Sequence, residues 1–190
     1  MKKKMNVRTY VAVGMLSALS YVLMMLNFPL PAFPTWLQID FSDVPALIAA
    51  IILGPAAGIL VELIKNMIDY MLTGSETGIP VGHMANLLAG ISFILPTYYI
   101  YNKIKSKQGM VFGLIISTVL MSIVLSIFNY FVLLPVFIEL TKFPMDIKEN
   151  VLQFILPFNL LKGVMISVIF MLIFTKMNAW IQKQIQYRNV

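Results

Sequence analysis

The sequence predicts an all-α membrane protein with six transmembrane helices, a short second helix and a long extracellular first loop. Of its 190 residues, 59% are hydrophobic and only 12% are charged, and the mean hydropathy is +0.86. A soluble domain of this length does not bury that much apolar surface, so we expect one integral membrane domain over residues 1–190. Several apolar runs are long enough to cross a hydrocarbon core of about 30 Å. The predicted helices cover residues 7–27, 41–53, 57–72, 81–101, 110–137 and 151–174.

The residue types exclude several classes of function. Cysteine is absent, which excludes disulfides and thiolate chemistry, and the one histidine, His83, cannot build a metal site alone. The chain has no glycine-rich phosphate loop with its lysine, so it cannot use ATP by itself. The net charge of +6 lies in short loops and ends, which gives no argument for nucleic acid. We therefore expect neither an enzyme nor a protein that holds a metal or a cofactor.

The first helix carries two small residues, Gly14 and Ala18, one turn apart. Small residues at this spacing let a second helix approach closely. Packing inside the protein explains the pattern as well as contact with an external partner does, and both interpretations remain open.

A long first loop follows at residues 28–40, and its prolines forbid a regular helix. Because this loop is also rich in aromatic and aliphatic residues, we expect it to fold back over the helices as a lid. The second helix begins near Ser42 and Asp43, either of which can cap it, and stops at Gly54. Its roughly 11 residues rise only about 16 Å, which is too little to span a bilayer. The lid is therefore expected to enter the membrane from one side.

The third helix carries charged side chains whose spacing favours pairing within the helix. Glu62 and Lys65 are one turn apart, and so are Lys65 and Asp69. Opposite charges at such spacings can pair, so we expect both ion pairs.

Three carboxamides and one lysine lie at membrane depth in the later helices. Lys162 stands about two turns inside the last apolar run, where an ionised group costs at least ~2.5–3.5 kcal/mol and usually marks a ligand or ion site. Asn159 shares its helical face. Asn86 lies between glycines that let a ligand approach, and Asn129, unlike the serines of its helix, has no easy bond back to its own backbone. The alternative is a lysine that snorkels to the interface or pairs with a buried acid for structure.

Charge asymmetry predicts the orientation, because six spans place both ends of the chain on one side. Basic residues are favoured on the cytoplasmic side, so we expect both termini in the cytoplasm and the lid outside. This orientation places the three asparagines and Lys162 together in the outer half of the bilayer, under the lid. The basic residues on the terminal side are Lys2, Lys3, Lys4, Arg8, Lys103, Lys105, Lys107, Lys176, Lys183 and Arg188, and the acids on the other side are Asp40, Asp43, Glu76, Glu139, Asp146 and Glu149.

Such a site suits a flat ligand with polar edges. The carboxamides offer paired donors and acceptors, which match the amide or imide edge of a heterocycle. Trp36 and Phe41 can cover the face of a ring, while Gln38 and Asp40 can meet hydroxyl groups from the lid side. The sequence has neither a ring of carboxylates for cations nor a continuous polar lining for conduction.

Three stretches carry a resemblance to a known family: residues 37–45, 53–58 and 157–163. Over nearly its whole length the chain resembles the substrate-binding S components of energy-coupling factor (ECF) transporters, and among them the riboflavin-specific members. The resemblance implies a subunit that binds riboflavin from outside and docks on a transmembrane coupling subunit through Gly14 and Ala18. It also implies two ATPase subunits that drive release. The family pattern usually has alanine where this chain has Gly14, and the exchange keeps the residue small.

Other functions remain open from the residues alone. The chemistry does not decide between riboflavin and another flat heterocyclic vitamin. An intramembrane enzyme needs a nucleophile with a general base, and His83, at a helix start, is better placed for capping. A further class of function that remains open is a channel, or a secondary transporter that works without partner subunits. Such transporters often contain an internal two-half repeat, which this sequence does not show.

Overall fold

The computed structural model describes residues 7–75 and 78–189, with side chains as far as residue 185. Within this range the chain forms six helical rods and one short hairpin. Lys2, Lys3, Lys4 and Glu76, which entered the charge asymmetry, lie outside the described residues, and so does the side chain of Arg188. The helices are α1 (Val7–Met25), α2 (Asp43–Leu53), α3 (Pro55–Thr73), α4 (Val81–Ile104), α5 (Lys107–Phe128), α6 (Leu134–Thr141), α7 (Ile147–Asn150) and α8 (Leu156–Asn189).

The last two rods each contain a π-helical turn. The turn Asn129–Leu133 joins α5 to α6, and the turn Val151–Ile155 joins α7 to α8. Each turn is followed at once by a leucine and then by a proline, Pro135 or Pro157. Proline removes a backbone donor and clashes with the carbonyl four residues earlier, and a wider turn relieves that clash. Both rods also continue past their predicted ends at residues 137 and 174, to Thr141 and Asn189.

Among the described residues, four stretches are long and apolar enough to cross a membrane. α3 has a comparable length but carries Glu62, Lys65 and Asp69, and α2 has only 11 residues. The predicted all-α membrane fold, with a short second helix, is confirmed. The four stretches are Val7–Met25, Val81–Ile104, Lys107–Thr141 and Ile147–Ile185.

α2 lies at the centre of the bundle although it is short. It is buried on almost every side and contacts α1, α3, α4 and α8. A helix that is hydrophobic all round belongs to a core. Gly54, at φ 110°, makes the turn into α3, and a Cβ at Gly58 would lie 2.7 Å from the Cβ of Ala50. The absence of that Cβ lets α3 approach α2 closely, which brings the start of α2 and the charged face of α3 together.

The first loop, residues 28–40, is called the lid below. Its ends pair as an antiparallel hairpin of two short strands, β1 (Phe28–Pro29) and β2 (Gln38–Ile39). Asp40, which follows β2, is buried, and Phe33 makes an edge contact with Phe158 of α8 at 5.5 Å between ring centroids. The lid therefore packs against the helices, although its short strands carried no sequence signal.

Candidate ligand-binding site

A cavity of 960 Å³ opens between the lid, α3, α4 and the last two rods. Its volume falls within the range of small-molecule sites, about 300–1,000 Å³. Polar side chains and aromatic rings both contribute to its walls. Among the residues predicted for the site, the cavity lining includes Trp36, Gln38, Asp40, Asn86, Asn129, Asn159 and Lys162.

Phe41 was predicted for the site but does not line the cavity. Its ring lies 6.3 Å from that of Phe28, between centroids, and packs against the hydrophobic core. Successive residues of an extended segment face opposite sides, so Asp40 faces the cavity and Phe41 faces away. Of the two residues expected to cover the face of a ligand ring, only Trp36 lines the cavity, where it is 46% exposed.

Lys162 is buried and bonds to the lid and to α4 at once. Its Nζ lies 3.0 Å from Asp40 Oδ2 and donates to Asn86 Oδ1 at 3.2 Å. A lysine held by these two acceptors does not reach the membrane interface, which excludes snorkelling. Lys162 thus joins the lid, the fourth helix and the last helix at one wall of the cavity.

Asp40 is held by a second set of bonds at the start of α2. Its Oδ1 accepts a hydrogen bond from the backbone N–H of Ser42 at 2.9 Å and another from the Ser42 hydroxyl. That hydroxyl in turn accepts from Lys65 Nζ at 2.7 Å. Burial alone would raise the pKa of the Asp40 carboxyl, but the ammonium groups of Lys162 and Lys65 and the bonds from Ser42 lower it to about 2. Asp40 therefore faces Lys162 as a carboxylate at neutral pH.

A second charged cluster lies between α2 and α3 and is connected to Asp40 through Ser42. Lys65 Nζ is 2.5 Å from Asp43 Oδ1 and 2.9 Å from Glu62 Oε2, and all three side chains are fully buried. The Glu62 carboxylate lies against Gly90 of α4, where a Cβ would come within 2.2 Å of it. The predicted Glu62–Lys65 pair is confirmed.

The predicted Lys65–Asp69 pair is wrong. Asp69 instead faces His83 of α4, with 2.9 Å between Oδ2 and Nε2, and both side chains line the cavity. Lys65 turns toward the start of α2, where Asp43 offers a carboxylate in a site closed to water. Tyr70 packs edge-on against His83 at 5.4 Å. Spacing along one helix carries no information about a partner on the next, which is why the sequence did not predict the His83–Asp69 pair.

Asn129 and Asn159 lie beside the two π-helical turns. The Asn129 amide donates to Leu125 O at 2.8 Å, so the expectation that it could not bond back to its own helix is wrong. The Asn159 amide donates in the same way to Ile155 O, also at 2.8 Å. Among the described residues no group donates to either Oδ1 atom. Each side chain therefore keeps its Oδ1 acceptor and the second of its two amide N–H donors for a ligand.

An aromatic wall on the last two rods was not predicted. Phe137, Phe143 and Phe158 line the cavity together with aliphatic side chains of the π-helical turns. They lie near the end of a helix, in a connecting loop and in the last rod, so no periodic pattern links them. Only Phe158 stands in a stretch singled out from the sequence, residues 157–163. With Trp36, these rings give the cavity flat apolar surfaces next to its amide groups.

The small residues of α1 face away from the cavity. Gly14 and Ala18 are exposed, and a Cβ at Gly14 would meet nothing within 4 Å. Packing inside the described part of the protein therefore does not explain the small-residue spacing. The buried residues of α1 lie on a different face: Val13, Ser17, Ser20 and Met24.

Comparison with known proteins decides the family. Residues 8–174 match the sequence model of the ECF transporter substrate-specific component. The chain belongs to this family. A substrate-specific, or S, component is a transporter subunit and not an enzyme.

Relatives match this S component from end to end. The riboflavin transporter FmnP of Bacillus subtilis (strain 168) is 47% identical over 184 residues, which cover 95% of this chain and 97% of that protein. The riboflavin transporter RibU of Staphylococcus aureus (strain TCH60) is 41% identical over 188 residues, with 96% and 98% covered. A solved structure of the S component of a bacterial ECF transporter shares 42% identity and a TM-score of 0.79, covering 91% of this chain and 96% of that one. The six-rod fold is therefore that of the family.

Proposed function

We propose that this S component is a single substrate-binding domain of the cell membrane that binds riboflavin from outside, under the lid, for an ATP-driven importer. The observation that carries the proposal is the cavity in which Lys162 and three carboxamides meet beneath the lid. Full-length relatives named as riboflavin transporters support the choice of ligand over other flat vitamins.

Riboflavin has the groups that this cavity can recognise: a flat ring system, an imide edge and a hydroxylated arm. The Oδ1 atoms of Asn129 and Asn159 can accept from the imide N–H. An ammonium has three N–H donors, and Lys162 uses two of them on Asp40 and Asn86, so one is left for a ligand oxygen. The aromatic wall and Trp36 can stack on the faces of the ring.

The exposed face of α1 that carries Gly14 and Ala18 is the proposed docking surface for the transmembrane coupling subunit. Gly14 and Ala18 are exposed there, and the open space at Gly14 allows another helix to approach closely. Two ATPase subunits bound to the coupling subunit would supply the energy, since this sequence has no phosphate loop of its own.

Both termini are proposed to lie in the cytoplasm, with the mouth of the cavity outside. Lys103 and Lys105 stand at the α4–α5 connection, whereas Glu139 and Asp146 stand at the opposite end of the α5–α6 rod. Basic residues are favoured in cytoplasmic loops, which supports this orientation.

Ligand binding is tested on the purified chain in detergent or in lipid nanodiscs. Riboflavin should bind one-to-one without ATP, and its fluorescence should fall because the ring stacks on aromatic side chains. Isothermal calorimetry gives the stoichiometry and the dissociation constant. Clear heat with thiamine or biotin, but none with riboflavin, would overturn the ligand assignment and leave the family intact.

The absence of cysteine makes the orientation directly testable. The substitutions Lys105→Cys and Lys142→Cys place one thiol at each end of the α5–α6 rod, at exposed positions. A membrane-impermeant maleimide should label Lys142→Cys in intact cells, and Lys105→Cys only after the membrane is permeabilised. The reverse labelling pattern would invert the proposed orientation.

A further inference from the structure

An apolar groove lies between α5 and α8 and shares no residue with the ligand cavity. Its volume is about 290 Å³, and its lining is apolar except for Ser167. Ile115 on α5 and Val168 and Leu172 on α8 line the groove and are each more than half exposed. Both helices belong to stretches that are long and apolar enough to cross a membrane, so the groove opens toward the acyl chains of the bilayer.

A lysine on each of the two helices stands at one end of the groove. Lys107 comes one turn before Val111, and Lys176 comes one turn after Leu172. Residues four apart lie on the same face of a helix, so each lysine extends a row of groove side chains. Both lysines are exposed, and their flexible stems let the ammonium groups turn toward the end of the groove.

The two lysines stand at nearly the same height along the bundle. Gly163 of α8 packs against Thr118 of α5, where a Cβ on the glycine would lie 2.7 Å from a side-chain carbon of the threonine. From this contact to the groove, α5 runs backward along the chain and α8 runs forward, so the helices are antiparallel. Lys107 lies about 16 Å from the contact and Lys176 about 20 Å, at ~1.5 Å of rise per residue. One phosphate group can therefore lie within reach of both lysines.

The positive charge at this end has no acidic counterpart on the helices that form the groove. Neither α5 nor α8 contains an aspartate or a glutamate. In the part of the chain that the structure describes, neither Lys107 nor Lys176 takes part in an ion pair, and the same holds for Lys103, Lys105 and Lys183 at this end. An apolar groove that ends at unpaired cations is complementary to a molecule with an anionic head and an apolar chain.

We infer that this groove binds one anionic phospholipid, with an acyl chain along the apolar lining and the phosphate between Lys107 and Lys176. Basic sites between transmembrane helices attract anionic head groups, and the burial of each acyl methylene adds to the affinity. Under the proposed orientation the lipid belongs to the cytoplasmic leaflet, whose surface is negatively charged. The inference goes beyond the proposed function and does not depend on the identity of the transported ligand.

Native mass spectrometry of the purified full chain in detergent tests the charge of the head group with two probes, dioleoyl phosphatidylglycerol and dioleoyl phosphatidylcholine. Wild-type protein should bind one phosphatidylglycerol more tightly than phosphatidylcholine. Lys107→Gln and Lys176→Gln should each raise the dissociation constant of phosphatidylglycerol about fivefold, the size expected for one lysine near an anionic lipid, and leave that of phosphatidylcholine unchanged. Lys183→Gln is the matched control, because this exposed lysine lies about 10 Å farther along α8, and it should change neither value.

A second set of variants tests the groove while every lysine stays in place. Val168→Phe fills the groove and should weaken both lipids about tenfold, the equivalent of roughly two acyl methylenes. Val164→Phe, one turn earlier on α8 and also more than half exposed, lies outside the lining and should have no effect. Because Val168 is exposed, the larger ring adds no volume to the core, and Val111→Phe gives a second measurement from the α5 side.

Three results would overturn the inference. Equal affinities of wild-type protein for the two lipids would mean that the lysines do not select the head group. Equal losses with Lys183→Gln and Lys107→Gln would mean a diffuse attraction and no defined site. Unchanged lipid binding by Val168→Phe, together with lost co-purification of the coupling subunit, would make the groove a protein interface. Riboflavin affinity should be normal in all these variants, since none of the altered residues lines the ligand cavity, so failure of the lipid site leaves the proposed function intact.

Discussion

Lys162 has two roles to separate, because the same ammonium holds the lid and has a donor left for a ligand. Its partner Asp40 comes from the far end of the lid, and Asn86 comes from α4. Buried ion pairs are weak evidence for stability by themselves, since desolvation offsets much of their attraction. Breaking such a pair by removing one partner is nevertheless costly, because the other charge stays buried.

We expect Lys162→Met to affect riboflavin binding and stability together. Binding should weaken by about 1.5–3 kcal/mol, the range for hydrogen bonds to charged groups, or roughly ten- to a hundredfold in dissociation constant. The free energy of unfolding should fall by about 3–5 kcal/mol, because Asp40 is left without its partner. Calorimetry and a melting curve on one preparation measure both effects.

Two further variants separate the roles of Lys162. The double variant Lys162→Met with Asp40→Asn removes both charges, so it should recover stability but not affinity. Lys142→Met removes an exposed lysine paired with Glu139 and should change neither quantity. Normal affinity in the folded fraction of Lys162→Met would remove this lysine from the binding site.

Asn159→Leu should have a smaller effect on binding than Lys162→Met. One of the two Asn159 amide N–H donors is already bonded to Ile155 O, and the groups that the substitution takes from the ligand are neutral. A neutral hydrogen bond contributes about 0.5–1.5 kcal/mol, or roughly two- to tenfold in dissociation constant. Riboflavin titration measures the change, and Asn102→Leu, at an exposed position of α4, serves as the control. Equal affinities in the two variants would place Asn159 outside the site.

Lys162, the three asparagines and Trp36 were predictable as residues of the cavity, whereas the phenylalanines of the last two rods and the Asp69–His83 pair were not. A lysine inside an apolar run predicts a buried partner or a ligand, because hydrocarbon does not solvate its charge. A phenylalanine in such a run, for example Phe137, predicts nothing in particular, because core and lipid contacts explain it equally well. Phe41 was misplaced because the alternation that turns Asp40 inward depends on where β2 ends, and two residues are too few to show a strand pattern.

α1 exposes Gly14 and Ala18 on one face and buries Ser17 and Ser20 on another. Ser20 Oγ donates to Ser42 O at 2.5 Å, so the inner face of α1 is bonded to the start of α2. The two faces of this helix can therefore be altered separately.

Ala18→Leu should block docking on the coupling subunit, because close helix contact needs small side chains. Riboflavin binding by the purified chain should survive, since this face does not line the cavity. Co-purification with the coupling subunit and uptake of riboflavin by cells measure the effect. Met15→Leu, at an exposed position of the same helix, is the control of conserved volume. Normal uptake with Ala18→Leu would place the interface elsewhere.

The existence of each helix was predictable from hydropathy, but the ends were not. Membrane helices need an unbroken apolar run, and such runs are visible in the sequence. The ends depend on local hydrogen bonds: α3 begins at Pro55, before its predicted start, because proline suits a first turn, and the fifth rod ends at Thr141, past its predicted end at residue 137.

At the scale of the whole molecule, the cavity is a meeting point of segments far apart in the chain. The lid, α3, α4 and the last two rods all contribute to its walls. Contacts between helices that are distant in sequence leave no periodic signal in either one. The cavity was therefore predictable as a convergence of polar residues, and the Ser42 bonds that connect its wall to Lys65 were not.

Riboflavin should stabilise the entire bundle, since it would contact all of these segments at once. A ligand that binds only the folded state adds about 2.7 kcal/mol at a hundred times its dissociation constant. The melting temperature of the purified chain should therefore rise with riboflavin concentration, measured by intrinsic fluorescence. Biotin at the same concentration is the control and should leave it unchanged. Riboflavin binding without any rise would mean that the ligand contacts only a locally ordered part.

Because of the two π-helical turns, the number of residues in each of the last two rods decides which side chains face the cavity. A turn that holds one extra residue rotates everything before it by about 100° relative to a continuous α-helix. The side of each rod that faces lipid can therefore differ before and after the π-helical turn. Deleting a single residue from Val151–Ile155 would remove the wider turn that relieves the clash of Pro157. It would swing α7 and its connecting loop a quarter turn around the axis while Asn159 and Lys162 stayed in place. A one-residue gap in this turn would therefore alter the cavity more than most substitutions in its walls.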